Sequence, residues 1–349
     1  MRYVAHVFAF AAVLGILALS GCGGDGSAEM TERTETATTL LPGNSSIIAM
    51  VDLQHVRENA PNGERMMKRF TDDASPGMEE DLEELGLDPA TDIHSVYVGG
   101  RFGERGRAPL ALIYGSFERE TIESFIDRKM QESSDKIEFE KTSIRDYTAY
   151  QVMNATDPLG SEAPDAVGAA LVSDDLIIAG DMAEVEAAVA RYDGEGAGSL
   201  ADAAATMSLV REAATGQSMW AVVGEVPEQL HSGGNNQMER LTRVVRSVSA
   251  AMTFDGGDLD TRILLTAEDG ASASDIADLT RGLVGLAKRE GRIESDWQQV
   301  IQTVEVSDEG ENVEITARVN RSLIEKEAEE MTKTSADATT ASRNVSIDR

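Results

Sequence analysis

The sequence predicts an α+β fold: two similar β-α-β-β-α-β-β modules, built on mainly antiparallel sheets with helices packed on one face. Three observations carry this. The hydrophobic period alternates between 2 and about 3.6 residues along the chain. Turn residues separate neighbouring strand runs, which makes hairpins and hence antiparallel pairing. The order of elements in the first half then returns in the second.

The first module opens with an apolar run from Ile47 to Leu53, ending in Val51-Asp52-Leu53. A Met- and Glu-rich helical stretch follows to Leu85, broken at Ser75-Pro76-Gly77 and closed by Gly86-Leu87-Asp88-Pro89. Strands are expected at Ser95–Gly99 and Leu110–Phe117, and Ile122, Phe125, Ile126 and Met130 mark one face of a helix. Further strands at 137–140 and 148–153, a hairpin of 169–172 with 176–179, and a helix lined by Met182, Val185, Val189 and Tyr192 complete the half. In the second module, Met219–Val226 matches the first strand. Val248, Ala250, Met252 and Phe254 alternate with small or polar residues, and Asp255-Gly256-Gly257-Asp258 turns the chain into Ile263, Leu265 and Ala267. Ile276, Leu279, Leu283 and Leu286 mark a helix, and a hairpin around Glu309-Gly310 closes the module. Ile48-Ala49-Met50-Val51 can be laid on Trp220-Ala221-Val222-Val223, and Ser95-Val96 on Ser247-Val248. These identities are few, so the matching order of elements is the stronger argument for duplication.

The N-terminus carries an export signal. After Met1-Arg2-Tyr3, an apolar run from Val4 to Leu19 is shorter than the roughly 20 residues of a spanning helix and suits a signal-peptide core. It ends in Leu19-Ser20-Gly21-Cys22, which resembles the lipobox of bacterial lipoproteins: a branched apolar residue, two small residues, then cysteine. The resemblance implies cleavage before Cys22, acylation of its thiol and anchoring in a membrane. Cys22 is the only cysteine in 349 residues, so its chain offers no disulfide partner, no Cys-based zinc site and no CxxC redox pair. Gly23, standing where an Asp would signal inner-membrane retention in enteric bacteria, favours the outer membrane if the host has one. The body resembles uncharacterised exported bacterial proteins that begin with a Leu-Pro…Val-Asp-Leu segment, here Leu41-Pro42 and Val51-Asp52-Leu53, a family that lends no activity.

The expected organisation is therefore a signal peptide over 1–21, a flexible tether over 22–40, modules over 41–215 and 216–331, and a disordered Thr/Ser/Ala-rich tail over 332–349. The tether reading rests on a Gly-, Thr- and Glu-rich composition without apolar periodicity. The chain carries 62 acidic against 31 basic residues, a formal net charge of −31. Such an excess repels nucleic acid and anionic membrane surfaces, so DNA or RNA binding is the least expected function class.

No GxSxG elbow, HExxH helix or GxxxxGK[ST] loop occurs. His55, His94 and His231 are widely separated and read as surface or strand-end residues. Gly194-Glu195-Gly196-Ala197-Gly198 follows a helix instead of a strand and has Ser199 where a dinucleotide loop needs its last glycine, so it reads as a flexible linker. Asp255, Asp258 and Asp260 fail the EF-hand template, which needs Gly and Glu where Asp260 and Thr266 stand. Glu79-Glu80-Asp81 with Glu83-Glu84 reads as the wet face of a helix, as do Arg240, Arg243 and Arg246. One loop stands out: Arg101, Phe102, Arg105 and Arg107 sit on a glycine-rich hairpin tip, where arginine forks suit a carboxylate or phosphate. The alternative is a mobile hairpin whose arginines balance nearby acids. No cofactor or metal is implied. The reading is a lipid-anchored envelope protein with a non-catalytic binding or structural role and an envelope protein or glycan as partner. The alternatives are an envelope hydrolase with dispersed catalytic residues or an acidic cation-binding surface protein.

Overall fold

The computed structural model describes residues 30–67, 87–101, 108–132, 138–153, 166–226, 243–289 and 295–326. The expected signal peptide, the Met- and Glu-rich stretch beyond Met67, and the 332–349 tail lie outside them. In chain order the elements are α1 (Glu32–Leu40), β1 (Ile47–Asp52), α2 (Leu53–Asn59), α3 (Pro89–Asp92), β2 (Ile93–Gly100), β3 (Leu110–Gly115), α4 (Arg119–Glu132), β4 (Glu138–Ile144) and β5 (Tyr147–Met153). They continue with β6 (Ala166–Ser173), β7 (Leu176–Asp181), α5 (Met182–Tyr192), α6 (Ala204–Ala214), β8 (Met219–Val223), β9 (Val245–Asp255), β10 (Asp258–Ala267), α7 (Gly270–Ala287), α8 (Ser295–Thr303), β11 (Glu305–Glu309) and β12 (Asn312–Val319).

The strands form one 12-stranded sheet in the order β11-β12-β10-β9-β8-β1-β2-β3-β7-β6-β5-β4. The two halves meet at its centre, where β1 pairs antiparallel with β8 and Ala49 faces Ala221. Ala49 and Ala221 are also matched when the sequences of the halves are laid together, so a local two-fold passes between them. The register supports the same alignment further out: Val51 faces Val96, and its counterpart Val223 faces Val248. Outward from the centre, β1-β2-β3-β7-β6 mirrors β8-β9-β10-β12-β11. The counterpart of β11–β12 is therefore β6–β7, and β4–β5 is an extra hairpin on the outer edge of the first half.

Helices cover both faces of this sheet, which corrects the expectation of one. Ile48, Met50, Tyr97, Leu112, Trp220 and Val222 share a core with Leu40 of α1, Val185 and Val189 of α5, and Val210 of α6. Their strand neighbours Val51 and Val96 point the other way and pack with Leu53 and Val56 of α2. The reason is legible in β1, whose Ile47-Ile48-Ala49-Met50-Val51 is apolar at every position, as a strand buried on both sides requires. Beside α2, Ile113 and Ile177 join Ile122 of α4, and Leu265 and Val313 join Ile276 of α7. The apolar stripe expected along α7 outruns its support: Ile276 is buried, whereas Leu283 is 47% and Leu286 64% exposed. The chain breaks after α2 at Ala60-Pro61-Asn62, with Asn62 at a φ of 56°; the break expected at Ser75-Pro76-Gly77 lies outside the described residues.

Two segments read as flexible are built structure. Residues 32–40, assigned to the tether, form α1, which buries Thr34, Ala37, Thr38 and Leu40. These positions follow helical spacing, but threonine and alanine bury little apolar area each, so the segment looks polar in sequence. The Thr31 side chain accepts from the Thr34 N–H at the N-cap. At the other end Arg191 of α5 donates through Nε (2.9 Å) and Nη2 (2.7 Å) to the Leu40 carbonyl, filling one of the acceptors a helix end leaves open. The glycine loop 194–198 is likewise fixed. Gly43 N–H donates to the Gly198 carbonyl at 2.8 Å, and Glu195 pairs with Arg145 at 2.7 Å.

Asp269 caps α7 by accepting from the Ser272 N–H at 2.8 Å, and that backbone bond, with the Ser272 hydroxyl, holds its carboxyl below the usual aspartate range. A depressed folded-state pKa contributes stability that is present above the ordinary aspartate range and lost as pH falls through the folded value. Asp269→Ala should therefore lower the melting temperature at neutral pH and leave a shallower fall on acidification. Asp269→Asn, which keeps a capping oxygen, should retain most of the neutral-pH stability and show the same shallower acid limb.

Candidate functional site

A cleft of about 750 Å³ opens over the end of the central strands, on the face covered by α1, α5 and α6. Its position follows from chain direction: the N-terminus of α1 (Thr31, Glu32, Arg33, Thr34) and the chain leaving α6 (Ala214, Gly216, Gln217, Ser218) stand on either side of it. Met50 and Asp52 of β1, Ser95 and Tyr97 of β2, and Tyr114 of β3 form its floor and wall, all on one face by strand alternation.

Charge and neutrality are layered. Glu32, Arg33 and Asp175 are exposed at the mouth, whereas Thr34, Ser95, Tyr97, Tyr114 and Ser218 are buried. The Arg33 guanidinium lies 5.7 Å from the centroid of the Tyr114 ring, a cation–π contact. The Tyr97 and Tyr114 rings meet edge to face at 5.7 Å. Burial, above all, pushes both phenols above their ordinary pKa, so they stay protonated and able to donate.

Some polar groups here are satisfied: Thr34 Oγ1 bonds Tyr97 OH at 3.0 Å, and Ser218 Oγ bonds Thr253 Oγ1 at 3.0 Å. Others are not. Ser95 Oγ, Tyr114 OH and Gln217 Oε1 are buried without a hydrogen-bond partner. Three further orphans occur among the described residues, on Ser45, Arg119 and Trp220, and none of these residues lines the cleft. Leaving a buried polar group unpaired costs about 1–3 kcal/mol, so three along the walls of one cleft call for an explanation. A molecule bound there would supply their partners.

The two described histidines are engaged as follows. Asp52 Oδ1 accepts the backbone N–H of His55 (2.8 Å), while the His55 ring reaches the Phe254 carbonyl at 3.4 Å. No hydroxyl of the cleft bonds a histidine among the described residues. Ser116 Oγ and His94 Nε2 are 3.5 Å apart on the surface, at the limit of a hydrogen bond.

Of the residues singled out in the sequence, Arg101 is exposed at the end of β2, and Phe102, Arg105, Arg107 and Cys22 lie outside the described residues, as do His231, Arg240 and the 79–84 acidic run. Arg246 pairs with Glu311 at 3.4 Å. Asp255 and Asp258 flank a turn with Gly256 and Gly257 at φ 59° and 92°, and Asp260 is held by Arg318. No group of three metal-ligating side chains occurs among the described residues. Sequence reasoning missed the cleft because its residues come from six segments, far apart in the chain, whose hydroxyls read singly as isolated polar positions. His55 does line its rim, although it reads as a surface residue in the sequence.

No family model matches the chain, and no curated protein does. The fold is similar to solved structures of TP0453. Crystal form III gives a TM-score of 0.46 at 8% identity over 85% of this chain and 97% of that one. Form IV gives 0.45 at 9% over 87% and 97%, and form I gives 0.44 at 10% over 85% and 96%. Among the described residues no helix is long and apolar enough to cross a membrane.

Proposed function

We propose that this chain is a lipid-anchored envelope protein, held by lipid on Cys22, whose body binds a small polar molecule in the central cleft without transforming it. The observation that carries the binding role is the gathering of Ser95, Tyr114 and Gln217, each with an orphaned polar atom, around one cleft. A cleft of this volume falls within the roughly 300–1,000 Å³ typical of small-molecule sites. The lipobox supports the anchor, and Gly23 favours the outer membrane if the host has one.

Anchor and cleft are close in sequence. Residues 23–30 separate Cys22 from Thr31 at the cleft mouth, so even fully extended they keep that mouth within about 30 Å of the lipid. The body works near a membrane surface. Cys22→Ser should lose the lipid mass and move from the membrane to soluble fractions, or accumulate uncut. Membrane retention by a chain without lipid would contradict the anchor.

The binding role is tested by purifying the protein from its host, denaturing it and identifying released small molecules by mass spectrometry. Thr36, exposed on α1 and lining the cleft, offers a block that spares the core. The wild type should release a bound compound and Thr36→Trp should not. Release of nothing by the wild type, or equal release by both, would contradict the proposal.

A further inference from the structure

The cleft also restricts what chemistry can enter it. The orphaned atoms along its wall are all uncharged: two hydroxyls, on Ser95 and Tyr114, that can donate or accept, and the Gln217 carbonyl oxygen, which only accepts. A guest must therefore bring at least one donor for Gln217, and groups able to do either for the others. Hydroxyl groups meet all three demands. An ionised group set against these atoms would lose its hydration, at a cost of several kcal/mol, and the half-buried Asp52 carboxylate on the floor, which already accepts the His55 N–H, would repel an anion. The charged side chains Glu32, Arg33 and Asp175 stay at the mouth, where water solvates them, and Asp52 is the half-buried exception on the floor. Apolar surface from Met50, Ala214 and the tyrosine rings complements the C–H faces that polyhydroxylated rings present.

We propose that the cleft takes an uncharged polyhydroxylated compound of sugar size, inserted with hydroxyls toward Ser95, Tyr114 and Gln217. This rests on the cleft being a binding site. The high pKa of the tyrosines is consistent with it, since both phenols remain donors at any physiological pH.

The test uses the full-length protein in a detergent without a sugar headgroup, titrated at mildly acidic pH with glucose, with glucosamine as the matched cation and with gluconate as a polyhydroxylated anion. Binding is followed by ligand-observed NMR. Glucose should bind at least about tenfold more tightly than either charged compound. Ser95→Ala and Tyr114→Phe should each weaken glucose binding about two- to tenfold, the worth of one neutral hydrogen bond. Their circular dichroism should match the wild type. Tighter binding of glucosamine or gluconate, weakened by Tyr114→Phe, would overturn the uncharged class and leave the cleft as a site. The uncharged class is equally overturned if none of the three binds while the host-purified protein releases a compound that Thr36→Trp does not. No binding and no released compound would overturn both readings.

Discussion

Replacing Trp220 with alanine should lower the unfolding free energy by about 3–5 kcal/mol, the range for deleting a large buried aromatic. Trp220 is fully buried on β8 opposite Met50, at the seam where the two halves join, and its ring belongs to the core shared by the sheet with α1, α5 and α6. The cavity would lie beneath elements from both halves, so no single helix can relax to fill it. Domains are stable by only about 5–15 kcal/mol, so a loss of this size is a large fraction of the whole. Equilibrium urea denaturation of wild type and variant measures it. A change below about 1 kcal/mol, ordinary for a surface position, would mean that the seam is not a packed core.

The second large effect concerns α1. Leu40→Ala should cost about 2–5 kcal/mol, because Leu40 is 2% exposed and packs in the same core. A leucine in a flexible tether would cost nearly nothing when shortened, so this substitution separates the docked helix from the reading that composition suggests. Leu283→Ala, on the exposed stretch of α7, is the internal control and should change stability by no more than about 0.5 kcal/mol. Loss of α1 packing should also disturb the cleft, since Thr31–Thr34 and Thr36 line it.

These two residues mark where the sequence was legible. The strand around Trp220 and its match to Ile48–Val51 could be seen as apolar runs, and the pairing of Ala49 with Ala221 gives that match a physical meaning. The antiparallel character followed from the turns, notably Asp255-Gly256-Gly257-Asp258. What was hidden involves residues whose burial is decided by the tertiary partner. Thr34 and Thr38 are buried at 1% and 3% although nothing in a Thr/Glu-rich segment signals it. The Leu40 carbonyl finds Arg191, far along the chain, and the cleft joins hydroxyls from segments up to β8. Continuity of the two halves into one sheet was equally beyond sequence, because it depends on β1 and β8 choosing each other over solvent. Burial of both faces was the exception: it was available in Ile47–Val51, where the lack of alternation already argues for cover on each side.

The binding role stands or falls on whether the hydroxyl of Tyr114 is kept for a ligand or serves the fold. Tyr114→Phe removes a buried, unpaired OH and keeps the ring, its edge-to-face contact with Tyr97 and the Arg33 contact. Melting temperatures of the ligand-free wild type and of Tyr114→Phe separate the two. If the hydroxyl is kept for a ligand, the variant melts at the same temperature or higher, since an unsatisfied buried group is removed. A fall of several degrees would show that the hydroxyl holds the fold together and would contradict the cleft as the site of function.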